Sequence, residues 1–461
     1  MTMSSRRTYA VGPDLQCLSS SASRIQSDFA LDAYLCSSSV AKHIMDTICI
    51  PADPTQATIT QTLTCASQLS SHLKYSSGIQ DQGVEIFFIH QRNTWASLDV
   101  SKEMIMLLQD HFHLRHEFLQ MLSFFRDRVK PNEEAFCGAA RSFSVADRSH
   151  LTYVYKYPEK KEVKAGNPWR IRQTGIYHVY DHHRPSSTFV IVSPSPNAQF
   201  KTHLEDVLRD PDIRSRIFLH PTLIHAMLIA SHLGTWRRYL EYYDENIIDA
   251  ELSSAAANFG ESSVCFQTLQ RVRAVRKDIL ISEPLLSSTS NILSEISQFH
   301  KQVELTQGVG KDKSIIIEAS LIDFQKEALS YNQHSTYLTK RAQSVEQTVV
   351  DMLDWNFQLL AQVQTKLARE DSVAIRALTL VTAFYLPFSF VATMLGMNLL
   401  EFDSESRNLV VSKQLWLYFV IAIPLTALTL VCWKWNMLQH PKSYKHGNLE
   451  KMDYASDLEM V

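Results

Sequence analysis

Glycine is scarce in this chain of 461 residues, with only 12 copies, and none falls in a GxGxxG, Walker or GxSxG arrangement. Loops that cradle phosphates or present a nucleophile therefore lack raw material. No Ser/His/Asp spacing stands in their place, and the chain is not expected to be an enzyme or to need a cofactor. Cysteine is also sparse: seven residues are scattered without a CxxC pair, which excludes a disulfide framework or a zinc-finger cluster and suits a reducing compartment. No long basic tract occurs and the net charge is −3, so nucleic acid is not an expected partner. The N-terminus has no apolar signal-peptide core. It is Ser/Arg-rich and poor in acids, so a mitochondrial presequence is the lesser expectation.

What the chain does have is concentrated at its end. Ala377 to Leu400 carries no charge and exceeds the roughly 20 residues that cross a bilayer core as a helix. Thr379, Thr382, Leu386, Ser389 and Thr393 recur at steps of three and four, so they share one helical face. Leu380, Phe384, Phe388, Val391 and Leu395 form a bulky face opposite. A second apolar run, Leu415–Trp433, is bracketed by Trp416 and Tyr418 at one end and Trp433 and Trp435 at the other, as interfacial aromatic belts are. Lys366, Arg369 and Arg376 precede the first span and Lys434, Lys442 and Lys445 follow the second. The positive-inside rule then puts both termini in the cytosol or matrix and the short loop outside.

Upstream, four segments are expected. Residues 1–80 are rich in Ser, Thr and Gln and read as partly ordered helices and loops. Residues 81–233 read as a cytosolic α/β domain, with strands at Glu85–His90, Leu151–Tyr157, Trp169–Tyr180 and Thr188–Val192, the last two joined as a hairpin. A helix follows an N-cap within Asp99–Glu103, and further helices cover His203–Arg209 and His220–Leu233. The two histidine groups in this domain, His111/His113/His116 and His178/His182/His183, lack metal-ligand spacing and are expected to be structural and partly exposed. Residues 234–372 read as a helical stalk: Trp236–Phe259, Val264–Val303 broken or kinked at Pro284, and a long final helix. Its apolar series from Leu321 through Ala328, Leu338, Val345 and Val349 to Val363 has a heptad spacing, with Ser335 and Asn356 as polar members. Such a stripe suits a coiled coil between copies or packing against the preceding helices. No helix stop separates it from the first span, although Pro387 should loosen that span locally. Residues 373–435 form the two-helix membrane domain and 436–461 a cytosolic tail. The fold class expected is thus an α+β membrane protein: a cytosolic α/β domain, a coiled-coil-like stalk and two C-terminal membrane helices.

The run Thr379-Leu-Val-Thr-Ala-Phe-Tyr-Leu-Pro-Phe-Ser-Phe-Val-Ala-Thr-Met-Leu-Gly-Met-Asn398 resembles the first membrane helix of the CorA family of divalent-metal transporters, which ends on a Gly-Met-Asn signature. Trp95-Ala-Ser-Leu-Asp-Val-Ser-Lys-Glu-Met resembles the cytosolic part of CorA-like proteins of filamentous fungi. The resemblance implies a homopentamer embedded in lipid, with Mg²⁺ as the transported ion. By position it implies a selectivity signature at Gly396, Met397 and Asn398, Asn398 holding the ion through its hydration shell. It implies a pore lined by Thr393, Ser389, Leu386, Thr382, Thr379, Leu378, Ile375 and Ser372. Glu401, Asp403 and Glu405 would attract cations at the outer loop. Leu399 stands where the family commonly has an aromatic, and the loop acids depart from the bacterial Met-Pro-Glu-Leu pattern. Two alternatives stay open: a carrier of Zn²⁺ or another divalent metal of ZntB type, and a non-transporting membrane scaffold. A plasma membrane is favoured over the mitochondrial inner membrane.

Overall fold

The computed structural model describes Cys36 and residues 44–53, 56–78, 83–127, 134–162, 166–256, 262–307, 311–394, 400–402, 409–411, 413 and 415–439. The chain divides into two compact units, Met1–Leu353 and Asp354–Val461.

The first unit is built on a seven-stranded sheet. Its strands are β1 (Met45–Pro51), β2 (Ile59–Leu63), β3 (Gly83–His90), β4 (Arg141–Val145), β5 (Arg148–Lys160), β6 (Trp169–Asp181) and β7 (Ser186–Ser193), in the order β2-β1-β3-β7-β6-β5-β4. Among the described strands of this sheet, the central β3–β7 pair alone is parallel; the neighbouring pairs are antiparallel. Central strands covered on both faces read as near-continuous apolar runs, and β3 does so with Val84, Ile86, Phe87, Phe88 and Ile89 all buried.

Three short helices cover one face: α1 (Ala66–Gly78), α2 (Lys102–Phe112) and α3 (His116–Leu122). Leu69, Leu73, Met104, Leu108 and Phe118 pack there on Met45, Phe87, Ile89, Tyr177 and Val192. Ser101 caps α2 by accepting from the Met104 amide, which is the start expected within Asp99–Glu103. The other face carries α4 (Gln199–Val207), α5 (Pro211–Leu219), α6 (Thr222–Leu233), α7 (Thr235–Ala256), α8 (Ser262–Leu280), α9 (Ser282–Gln307) and the beginning of α10 (Lys311–Met394).

Several expectations change. The sheet domain starts at Met45 rather than 81, because β1, β2 and α1 lie within the stretch read as partly ordered. β2 and β4 lie at the sheet edges and are largely exposed and polar, so they carry little of the apolar alternation that marks a strand. His178 is fully buried, not partly exposed. Of the two outcomes expected at Pro284 the structure has the break: one helix ends at Leu280 and the next starts at Ser282, with Pro284 in its first turn, where a missing amide donor costs least.

The heptad stripe of α10 is resolved in favour of intramolecular packing as far as Leu353. Leu321, Ala328, Leu338, Ala342, Val345, Val349 and Leu353 are buried in the same core as α7, α8 and α9. Its polar member Ser335 is also buried and pairs with Ser282 Oγ at 2.6 Å. Arg341 fixes α10 to α7 with a fork onto Glu251 at 2.6 and 3.0 Å and one bond to Asp244 at 2.7 Å, a geometry that adds direction as well as charge. Beyond that point the stripe is uncovered: Leu359, Val363 and Leu367 are exposed.

Candidate functional site

The second unit contains the C-terminal part of α10, a small hairpin of β8 (Leu400–Phe402) and β9 (Leu409–Val411), and α11 (Leu415–Gln439). Both helices contain a stretch long and apolar enough to cross a membrane. Leu380, Phe384, Phe390, Val420, Ile423 and Leu428 are all exposed in the single chain. Large apolar side chains left open in such number match lipid-facing surfaces. The chain is an integral membrane protein.

The two spans pack through defined faces. On α11, Tyr418, Ala422, Thr426 and Thr429 follow one another at steps of four and three, and Ala422 and Thr426 are buried. Small residues at such an interface let two backbones approach closely in lipid. On α10 the buried residues are Pro387 and Val391, with Phe388 half-buried. Pro387 explains part of the contact. A proline inside a helix has no amide hydrogen to give the carbonyl four residues back, here that of Ala383. Thr429 of α11 donates to that carbonyl at 3.4 Å, a long bond shared with its own helix's Thr426 carbonyl at 2.8 Å. Tyr418 donates to the Phe388 carbonyl at 3.2 Å. Backbone groups in a membrane need a partner inside the protein, and α11 brings them. The sequence held a signal for this, since Pro387 frees a carbonyl and Thr426 and Thr429 supply hydroxyls, but register between two helices cannot be read from either alone.

Plotted at 3.6 residues per turn, Ser372, Ile375, Leu378, Thr379, Thr382, Leu386, Ser389 and Thr393 fall within an arc of about 120°. The Pro387, Phe388 and Val391 face lies on the other side. Of the eight, Ser372 is half-buried and the rest are exposed in the single chain. Packing by α11 therefore leaves the hydroxyl stripe uncovered. Three of its hydroxyls donate along their own helix: Thr379 to Ile375 at 2.7 Å, Thr382 to Leu378 at 3.1 Å and Thr379 at 2.9 Å, and Thr393 to Ser389 at 2.8 Å. Back-bonding of this kind satisfies a hydroxyl proton in an apolar medium and leaves the oxygen lone pairs facing outward as acceptors. Of the outer residues, Glu401 lies in β8 opposite Val410. Gly396, Met397, Asn398, Asp403 and Glu405 lie outside the described residues.

A family model for CorA-like transporters matches residues 32–254. The chain is CorA-like over that region. Members of that family are transporters rather than enzymes, in keeping with the missing catalytic motifs. The match covers the sheet domain and the helices through most of α7, upstream of the membrane pair. No curated protein sequence matches the chain. Among solved structures it is similar to full-length CmaX, at 10% identity over 87% of this chain and 100% of that one, with a TM-score of 0.38. It is similar to the complete CorA magnesium transporter of Methanocaldococcus jannaschii, at 12% identity over 85% and 97%, TM-score 0.33. A third likeness is to the ZntB cytoplasmic domain of Vibrio parahaemolyticus, at 8% identity over 66% and 98%, TM-score 0.35.

Proposed function

We propose that this CorA-like protein is a homopentameric channel for divalent cations, with Mg²⁺ as its main cargo, whose pore is lined by the hydroxyl stripe of α10. The observation that carries the reading is the position of that stripe. It is polar, regular, inside an otherwise apolar span, and opposite the face that α11 occupies. Two spans cannot enclose a water path alone, so the stripes of several copies must meet around an axis.

The chemistry suits a hydrated ion. Mg²⁺ gives up its water shell reluctantly, and those waters point hydrogens outward. A wall of acceptor oxygens, such as the back-bonded Thr379, Thr382 and Thr393 offer, can bind that shell without stripping it. Leu386 and Leu378 would narrow the path, Ile375 and Ser372 would lie towards the inner mouth, and Ser389 would add to the upper wall. Asn398 would hold the shell through its amide oxygen at the outer end, with Gly396 and Met397 shaping the turn. Five copies of Glu401, Asp403 and Glu405 would raise the local cation concentration at the entrance.

The test is flux through the purified protein in liposomes with Mg²⁺, Zn²⁺, Ni²⁺ and Co²⁺ offered separately and in competition. Mg²⁺ flux that falls at least about tenfold on Asn398→Ala is expected, because one ring of oriented acceptors is removed. Flux unchanged by that substitution refutes the pore assignment. Preference for Zn²⁺ over Mg²⁺ makes the protein a ZntB-type carrier, and oligomers that pass no ion make it a scaffold.

A further inference from the structure

Three side chains of the sheet domain with no place in the pore reading converge at one point: Cys49 of β1, Glu85 of β3 and His72 of α1. Their ligand atoms all lie within 4.8 Å of one another. Cys49 and Glu85 are direct cross-strand partners, so the pleat points both side chains to the same face of the sheet. That face is the one α1 covers. His72 shares the inward side of α1 with Leu69 and Leu73, both buried against the sheet, as the spacing i, i+3, i+4 requires. Convergence thus follows from strand register and helix phase, and does not depend on a loop.

We propose that Cys49, His72 and Glu85 form a binding site for Zn²⁺, with water in the fourth position. The distances fit before any ion enters. Cys49 Sγ is 3.6 Å from Glu85 Oε1, and a tetrahedral zinc with bonds of about 2.3 Å to sulfur and about 2.1 Å to oxygen places those atoms about 3.6 Å apart. His72 Nε2 is 3.9 Å from the same carboxylate oxygen, so a shift of about half an ångström closes the set. The His72 side chain is only 9% exposed, and Nε2 has no hydrogen-bond partner among the described residues. A buried imidazole nitrogen without a partner is costly unless something binds there. Its other nitrogen, Nδ1, is 3.2 Å from Gln61 Oε1 on the neighbouring β2. Donation from Nδ1 to that oxygen fixes the tautomer and leaves the Nε2 lone pair facing Cys49 and Glu85, the outer-shell arrangement common to zinc-bound histidines.

The donor set selects the metal class. A thiolate and an imidazole suit Zn²⁺ and are poor ligands for Mg²⁺, which prefers six oxygens. Entry of the ion releases the Cys49 proton, now shared with Glu85, to solvent. Because three ligands leave one position open, the ion should exchange with its surroundings instead of remaining as a permanent structural element. It would tie α1 to β1 and β3. The site lies in the sheet domain and shares no residue with the pore, so either proposal can fail without the other.

The test uses the full chain in detergent micelles, reduced and stripped of metal with a chelator. Titration with Co²⁺ should give a thiolate-to-cobalt charge-transfer band saturating at one ion per chain, which Zn²⁺ displaces and Mg²⁺ leaves unchanged. Cys49→Ser should abolish the band. Gln61→Ala, on an edge strand largely open to solvent, should keep the band while weakening zinc affinity about 10- to 100-fold, and it guards against misfolding of the ligand variants. Hydrogen exchange across 66–78 should slow when Zn²⁺ is added to the wild type and not when it is added to Cys49→Ser. A wild-type protein with no band, or a band of full strength in Cys49→Ser, overturns the proposal, the second result assigning the thiolate to another cysteine.

Discussion

Lowering the pH from 7 to 5 should destabilise the first unit through histidines it buries in the neutral form. His225 is the clearest case. It is fully buried, accepts or donates through both ring nitrogens, and is pushed down to about 3 by burial alone. Its Nδ1 meets the Tyr153 hydroxyl at 2.8 Å and its Nε2 meets His178 Nδ1 at 2.9 Å. The unfolded chain binds a proton near the ordinary value of 6.5, while the folded chain does not until far lower. Between those two values the unfolded state therefore holds more protons, and stability must fall as pH falls. The loss approaches 1.4 kcal/mol per pH unit for one group, which integrates to about 2 kcal/mol between pH 7 and 5. His232, pushed down to about 4 by burial, and His150, pushed down to about 4 by burial and by Arg115 and Arg148, act in the same direction. Asp278, whose carboxyl is raised by burial, opposes them. The assay is urea unfolding of the full chain in micelles at pH 7, 6 and 5, followed by tryptophan fluorescence. His225→Phe leaves Tyr153 and His178 unpaired and should cost about 1–3 kcal/mol at pH 7. The informative quantity is the slope. The variant should lose about 2 kcal/mol less than wild type on going from pH 7 to 5. Equal slopes in the two proteins would show that His225 does not carry the linkage.

Two further substitutions test the packing. A Cβ at Gly175, in β6 between β5 and β7, would stand 2.5 Å from Met121 Sδ and 2.7 Å from the Phe125 ring. Both neighbours are buried, so Gly175→Ala should cost about 1–3 kcal/mol by overpacking, offset by about 0.4–1 kcal/mol of unfolded-state entropy; a more stable variant in the same urea assay contradicts the fit. Leu338, buried without exposure in the core shared by α10 and the sheet-side helices, should cost about 2–5 kcal/mol when cut to alanine. A loss below about 0.5 kcal/mol, the range of surface positions, would mean that the stripe of α10 is covered by something other than its own chain.

How much of this was legible depends on where each element keeps its apolar side chains. β3, β5, β6 and β7 are central and buried on both faces, so their sequences carry strong runs. The long helices announce themselves by spacing. β1, β2 and α1 do not: β1 is seven residues ending on Pro51, β2 shows one buried residue, Leu63, and α1 is full of serines. The strands are placed by pairing, β1 with β3 from Pro51↔Gly83 outward and β2 with β1, and local periodicity cannot see partners so far along the chain. The same blindness hides the Cys49–His72–Glu85 cluster, whose members have no sequence spacing in common and meet only through strand register. The membrane pair was legible as two spans and as one polar stripe. The face on which α11 docks was not, because it is set by Pro387 and by the match of Ala422, Thr426 and Thr429 to it.

One helix carries a single periodic pattern through two different surroundings, and this separates two roles that spacing alone confuses. From Leu321 to Leu353 the stripe is closed by α7, α8 and α9, which is ordinary core packing. From Trp355 to Val363 the apolar residues Phe357, Leu359, Leu360 and Val363 stay exposed, yet Lys366, Arg369, Glu370 and Asp371 follow within eight residues. Those charges keep this stretch in water, so lipid cannot be what covers it. A contiguous apolar strip in water calls for another protein surface. After Ala377 the charges end and the exposed apolar residues are at home in hydrocarbon. There the part of the helix that lipid does not suit is the hydroxyl arc at Thr379, Thr382, Ser389 and Thr393. The intermediate stretch wants a protein partner and the arc wants a polar one, in consecutive turns of one helix. Copies of the same chain arranged about an axis meet both demands together, which is why the oligomer proposed above is the economical answer to each.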